Sequence, residues 1–122
     1  MIHGKVNAYQ EATIPLQLRG KNRQTEDVEA VIDTGFSGFL TLSPALVVGL
    51  RLLPWGTSEF TLGDGSEAIF DVYIVTLLWD GQERDIFVLA AEGGPLVGMS
   101  LLEGFRLAVD VIENGAVTIE AL

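Results

Sequence analysis

The chain has 122 residues, 48% of them apolar and none of them cysteine. That length accommodates one domain with one core, residues 1–122, and the absence of thiols excludes disulfides, thiolate catalysis and Cys-ligated zinc. Seventeen acidic residues against seven basic ones leave a net charge of −10, which repels phosphate backbones and argues against nucleic acid as a partner.

Alternation with period two dominates the chain and marks half-buried strands. The first seven residues contain no basic segment leading into an apolar run, so no signal peptide is expected. The first clear strand is Thr13 to Leu18, with Ile14, Leu16 and Leu18 on one face. Arg19, Lys21 and Arg23 follow, but Glu26, Asp27 and Glu29 come at once after them, so this stretch reads as a solvated turn. Val28 to Ile32 becomes wholly apolar as it reaches Asp33, which predicts a buried end. Phe39 to Leu42 is a short apolar strand. Ser43-Pro44 then starts a helix over Ala45 to Val48 that stops at Gly49.

Thr57 to Leu62 and Ala68 to Leu78 flank Gly63-Asp64-Gly65-Ser66, a sequence suited to a hairpin tip. Asp80-Gly81 makes a tight turn into Arg84 to Ala90. Ser100 to Glu103 predicts one helical turn with Ser100 as its cap. Phe105 to Val111 and Ala116 to Leu122 form a closing hairpin around Asn114-Gly115. The sum is about nine strands and at most two short helices, an all-β chain in a closed or nearly closed barrel. No apolar stretch approaches the roughly 18 to 20 residues that cross a bilayer, so a soluble cytoplasmic protein without membrane partners is the expectation.

Elimination narrows the chemistry. His3 is the only histidine and lies near the chain's beginning, a poor position for the base of a Ser-His-Asp triad. One His and no Cys cannot supply the usual zinc ligands, no phosphate-cradling Gly-rich loop with its Lys is present, and Gly63-Asp64-Gly65 lacks the acid order of a calcium loop. No metal and no cofactor are expected, which leaves carboxylate chemistry.

Asp33-Thr34-Gly35 taken alone is equally readable as a turn after a strand. Its context is more specific. It lies between Ala30-Val31-Ile32 and a second apolar strand, and a carboxyl there must be hydrogen-bonded or share a proton. Sixty-five residues on, Pro95-Leu96-Val97-Gly98 runs apolar, apolar, Gly into a short helix, and the glycine hairpin lies between the two.

In this order and spacing the chain resembles the retropepsin-like aspartic proteases over nearly its whole length. It looks most like the small single-domain bacterial members whose first motif reads Asp-Thr-Gly-Phe-Ser-Gly, here Asp33 to Gly38. The resemblance implies a single closed β-barrel with one or two short helices, acting as a homodimeric aspartic endopeptidase on a peptide or protein substrate. It makes Asp33 the catalytic acid, has Thr34 bond across to a partner subunit, and has Gly35 let the two loops approach. Leu96, Val97 and Gly98 pack behind the catalytic loop, and Gly63, Asp64, Gly65 and Ser66 form the tip of a flap over the substrate. Phe36, Trp55, Phe60 and Leu62 suggest an apolar preference.

The mechanism needs two carboxyls that share a proton, and the chain has one such motif. A second Asp33 must come from a two-fold-related copy. The resemblance also assigns the terminal strand, Val117-Thr118-Ile119 with Ala121-Leu122, to the dimer interface; its alternative is to close its own barrel. Two departures stand out: Phe36 where many relatives have a small residue, and Met99-Ser100 where retroviral members usually have Arg and then Asn or Asp. The competing reading is a catalytically silent binding or dimerisation module of the same fold.

Overall fold

The computed structural model describes residues 1–122. Ten strands and two short helices follow one another: β1 (Ile2–Val6), β2 (Ala12–Arg19), β3 (Thr25–Ile32), β4 (Leu40–Leu42), α1 (Pro44–Gly49), β5 (Leu53–Thr61), β6 (Glu67–Trp79), β7 (Gln82–Ala90), β8 (Leu96–Val97), α2 (Met99–Leu102), β9 (Phe105–Val109) and β10 (Ala116–Ala121). Binary patterning explains the strands. In β2, Ile14, Leu16 and Leu18 are buried while Pro15 and Gln17 between them are exposed. Proline cannot donate to a ladder, and Pro15 lies where β2 has left β1 (last pair Lys5↔Thr13) and has not yet met β6 (first pair Gln17↔Leu78).

The strands join in the order β5-β6-β7-β4-β8-β3-β2-β1-β10-β9, and a further pairing of β6 with β2 closes six of them into a barrel. The closure runs through Gln17↔Leu78, Leu18↔Leu77 and Arg19↔Thr76. Because β6 is 13 residues long, it both closes the barrel and extends beyond it as a hairpin with β5. Ile14, Leu18, Leu40, Leu77, Leu101 and Ile119 are solvent-free within one cluster. Each such side chain contributes about 1.5–3 kcal/mol, so the core is the main source of stability and draws on both ends of the chain.

Several expectations change. β1 was not anticipated, since only Ile2 and Val6 mark it; it is held by pairing with β2 and β10, and His3 therefore sits in a strand opposite Thr118. Helix α1 has its predicted cap, with Leu46 N–H donating to Ser43 Oγ (3.3 Å), but the left-handed residue beyond its end is Arg51 (φ 51°) rather than Gly49. Asp80-Gly81 is a two-residue turn with both φ positive, between paired Trp79 and Gln82. The Asn114-Gly115 turn is longer than two residues, spanning the gap between Val109 and Ala116, with Asn114 N–H donating to Val6 O (2.9 Å). The terminal strand is not an edge. β10 pairs with β1 on one side and β9 on the other, and Val117 and Ile119 are fully buried.

Candidate active site

Asp33 follows β3 directly and its position is set by backbone bonds on both sides. Its N–H donates to Val97 O (2.9 Å), continuing the parallel pairing of Val31 and Ile32 with Leu96 and Val97. Phe36 N–H donates back to Asp33 O (3.1 Å), closing a turn over Asp33-Thr34-Gly35-Phe36. Within that turn Gly35 N–H donates to Asp33 Oδ1 (3.0 Å), which orients the carboxyl and leaves Oδ2 without a partner in the chain. That one bond favours a single orientation of the carboxyl.

β8 lies behind this turn, parallel to β3 and antiparallel to β4 through Leu40↔Val97. Gly98 N–H donates to Phe39 O (3.0 Å), Met99 N–H to Phe36 O (2.8 Å) and Ser100 N–H to Gly38 O (3.1 Å). A β-carbon on Gly98 would overlap Gly38 O and lie 2.6 Å from Phe36 Cδ2, so only glycine permits this approach. Gly38 faces the same ring, and a β-carbon there would lie 2.5 Å from Phe36 Cζ. The bulk of Phe36 is thus accommodated by two glycines.

The β5–β6 hairpin covers the turn. Thr61 pairs with Glu67, Leu62 N–H donates to Ser66 O (2.7 Å), and Gly63-Asp64-Gly65 spans the tip with Gly65 in the left-handed region (φ 85°). Asp64 Oδ1 accepts from Ser66 N–H (2.9 Å) and Ser66 Oγ (2.5 Å). The hydroxyl bond first, and the backbone bond after it, hold the Asp64 carboxyl below its usual range. Near the hairpin's tip the Phe60 ring meets Phe36 (centroids 5.7 Å apart) and Phe70 (6.4 Å), tying the hairpin to the Asp33 turn.

Between turn and hairpin lies a cleft of about 490 Å³. Of the residues singled out in the sequence, it brings together Asp33, Gly35, Phe36, Phe60, Leu62, Gly63 and Leu96. Thr34, Asp64 and Gly65 are exposed and do not line it, while Val97 and Gly98 are buried behind it. A second cleft of about 310 Å³ adjoins it, sharing Ser37, Phe60 and Leu89 and reaching Trp55 and Phe87, whose rings are 4.8 Å apart. No Lys, Arg or His lines the larger cleft; its ionisable groups are Asp33 and Glu59. Glu59 is raised above the usual carboxylate range, first by a hydrogen bond with Glu67 and then by desolvation. Nowhere do three or more His, Cys, Asp or Glu side chains converge as metal ligands would.

Two positioning residues escaped the sequence reading. Thr41, buried at the centre of β4, accepts from Leu96 N–H through Oγ1 (2.9 Å) and so fixes β8 from the side opposite Asp33. The signal was a lone hydroxyl in an apolar strand. Ser100, read as a helix cap, instead donates from Oγ to Ser37 O (2.6 Å), while Gly98 takes the N-cap position. Ser100 thereby ties α2 to the loop that follows Asp33.

No protein-family model matches the chain, and no curated protein matches it. Solved structures do. The crystal structure of a retropepsin-like aspartic protease from Rickettsia conorii superposes with a TM-score of 0.63 at 18% identity, over 99% of this chain and 90% of that one. The solution structure of simian foamy virus (mac) protease matches with a TM-score of 0.49 at 24% identity, over 72% of this chain and 90% of that one. The chain has a retropepsin-like fold.

Proposed function

We propose that the chain is an aspartic endopeptidase whose active unit is a homodimer pairing two copies of Asp33. The observation that carries the reading is the oriented Asp33 carboxyl, one oxygen held by Gly35 N–H and the other free, at the wall of a cleft beneath a flap-like hairpin. The fold shared with the Rickettsia conorii protease supports it. So does Thr34, exposed beside Asp33 with no side-chain bond inside its own chain, at the position from which it would bond across a two-fold axis.

In that unit the ionised carboxyl takes a proton from a water held between the two acids. The water oxygen attacks the scissile carbonyl carbon, and the other carboxyl donates its proton to the carbonyl oxygen. Collapse of the tetrahedral species breaks the C–N bond as the amine is protonated, and no covalent enzyme intermediate forms. The cleft walls of Phe36, Phe60, Leu62 and Leu96 favour apolar side chains beside the scissile bond.

A digest of an unstructured peptide library tests this, wild type against Asp33→Asn, beside a mass measurement in solution. Cleavage at mildly acid pH that disappears in the variant, from a dimer of unchanged fold, is the expected result. A dimer that cleaves nothing between pH 3 and 8 would favour the binding module instead.

A further inference from the structure

Seven basic residues stand against seventeen acidic ones, and four of the seven meet at one corner of the barrel. Arg19, Lys21 and Arg23 line a pocket of about 290 Å³ together with Leu53, Ile74 and Asp85. Arg51 adjoins them. A β-carbon on Gly20 would lie 2.0 Å from Leu50 O, so the β2–β3 turn packs on the backbone that leads into Arg51. Arg19 is already paired, because Glu83 accepts from both of its terminal guanidinium nitrogens (2.7 Å each). Lys21, Arg23 and Arg51 are exposed and form no ion pair. Asp85 accepts from Thr76 Oγ1 (2.7 Å). The acids that follow the turn in sequence do not neutralise the pocket: Glu26 lines a separate concavity with Ala45 and Leu46 of α1.

One strand face connects this pocket with the Asp33 cleft. Alternate residues of β6 point to the same side. In order, Phe70 lines the Asp33 cleft, Val72 the second cleft, and Ile74 and Thr76 the basic pocket. Their partners on β7 repeat the series: Leu89 opposite Val72 lines both clefts, Phe87 opposite Ile74 the second, and Asp85 opposite Thr76 the pocket. At about 3.3 Å per residue, the stretch from Phe70 to Ile74 and Thr76 covers about 13–20 Å, the reach of about four to six residues of extended peptide. At its far end Lys21 and Arg23 supply unpaired cations, while Leu53 (47% exposed) and Ile74 supply an apolar floor. We infer that this corner docks an acidic segment of the substrate, with Asp or Glu side chains about four to six residues from the scissile bond. The inference rests on the peptidase reading and adds a substrate class to it. The Asp33 cleft holds no cation, so selection for acids comes from the corner alone. The net charge of −10 repels an acidic chain at long range, and the attraction acts only within about 10 Å, a Debye length at 0.1 M salt.

Kinetics on matched peptides test the docking site. A peptide that the chain cleaves is made in three forms, carrying Glu-Glu, Gln-Gln or Lys-Lys about four to six residues from the scissile bond. The Glu form should show a KM about 3–10-fold below that of the Gln form with kcat unchanged, because remote contacts are made equally in ground and transition states. The Lys form should show the highest KM of the three. In the double variant Lys21→Ser with Arg23→Asn the advantage of the Glu form disappears and cleavage of the Gln form is unchanged. Neither residue lines the Asp33 cleft or makes an ion pair, and Asn tolerates the left-handed backbone at position 23 (φ 64°). Equal cleavage of the Glu and Gln forms, or an advantage that survives in the variant, overturns the docking site and leaves the Asp33 pair intact. If no peptide is cleaved, the peptidase reading fails, and an NMR titration with the peptide Glu-Glu-Leu-Glu decides the site separately. Amide shifts at Gly20 and Ile74 that are lost in the variant support the corner as the acidic-peptide site of a binding module, and their absence overturns it.

Discussion

Gly98→Ala tests whether the Asp33 turn is held from behind by close backbone approach. The new methyl carbon would overlap Gly38 O, lie 2.6 Å from Phe36 Cδ2 and lie 2.8 Å from Phe36 O. Two of these three contacts are backbone atoms that cannot rotate away, so β8 or the turn has to move. Overpacking of this kind costs about 1–3 kcal/mol. The shift also strains two bonds at the same point, Gly98 N–H to Phe39 O and Met99 N–H to Phe36 O, each worth about 0.5–1.5 kcal/mol. The expected loss is about 2–4 kcal/mol, which at an m of about 2 kcal/mol/M lowers the urea midpoint by about 1–2 M. The assay is urea unfolding followed by tryptophan fluorescence, at one fixed protomer concentration because the proposed dimerisation would itself stabilise the fold. Cleavage should fall further than stability does, since displacement of Asp33 by 1 Å costs about 100-fold. A Gly98→Ala chain within ~0.5 kcal/mol of wild type would refute the reasoning.

Gly35→Ala gives the contrasting result. Within the chain its β-carbon meets only Asp33 Oδ1, at 3.3 Å, so stability of the monomer changes by less than ~1 kcal/mol, while on the proposed paired-Asp33 reading dimerisation and cleavage are lost; sedimentation alongside the digest checks this. Glu67→Gln removes the ionisable partner that first raises Glu59. A carboxyl whose folded value is raised contributes stability below its unfolded value and loses it as pH rises through the folded value. The wild-type hairpin should therefore be tightest at acid pH and loosen above the ordinary glutamate range, with Glu59 titrating lower in the variant when followed by carbon NMR. Ser66→Ala should move Asp64 the other way. Its carboxyl is depressed, so its contribution is present above the usual aspartate value and is lost as pH falls through the folded one; an Asp64 titration unchanged by the substitution would refute the hydroxyl's role.

Much of the barrel was legible because its signals are local. The alternation of Ile14, Leu16 and Leu18, the capping serine at Ser43 and the Asp80-Gly81 turn each act within a few residues. β1 was missed because five residues with two apolar positions are indistinguishable from coil until β2 and β10 bond to both sides. Asn114-Gly115 marked a real reversal, yet Gly115 is there for close approach to the Asp110 and Ile112 carbonyls rather than for a tight turn.

The sequence by itself determined the chemistry available: one Asp-Thr-Gly turn after an apolar strand, no thiols, one histidine, and glycines at 35, 38 and 98 that admit close packing. Its hydrophobic period determined that the chain is all-β, because a period of two buries one face of a strand and cannot bury one stripe of a helix. Only the tertiary structure decided which strands lie side by side, since pairing depends on backbone groups that every residue carries alike. It is pairing that sets β8 behind Asp33, satisfies the terminal strand on both sides and leaves β9 as the open edge.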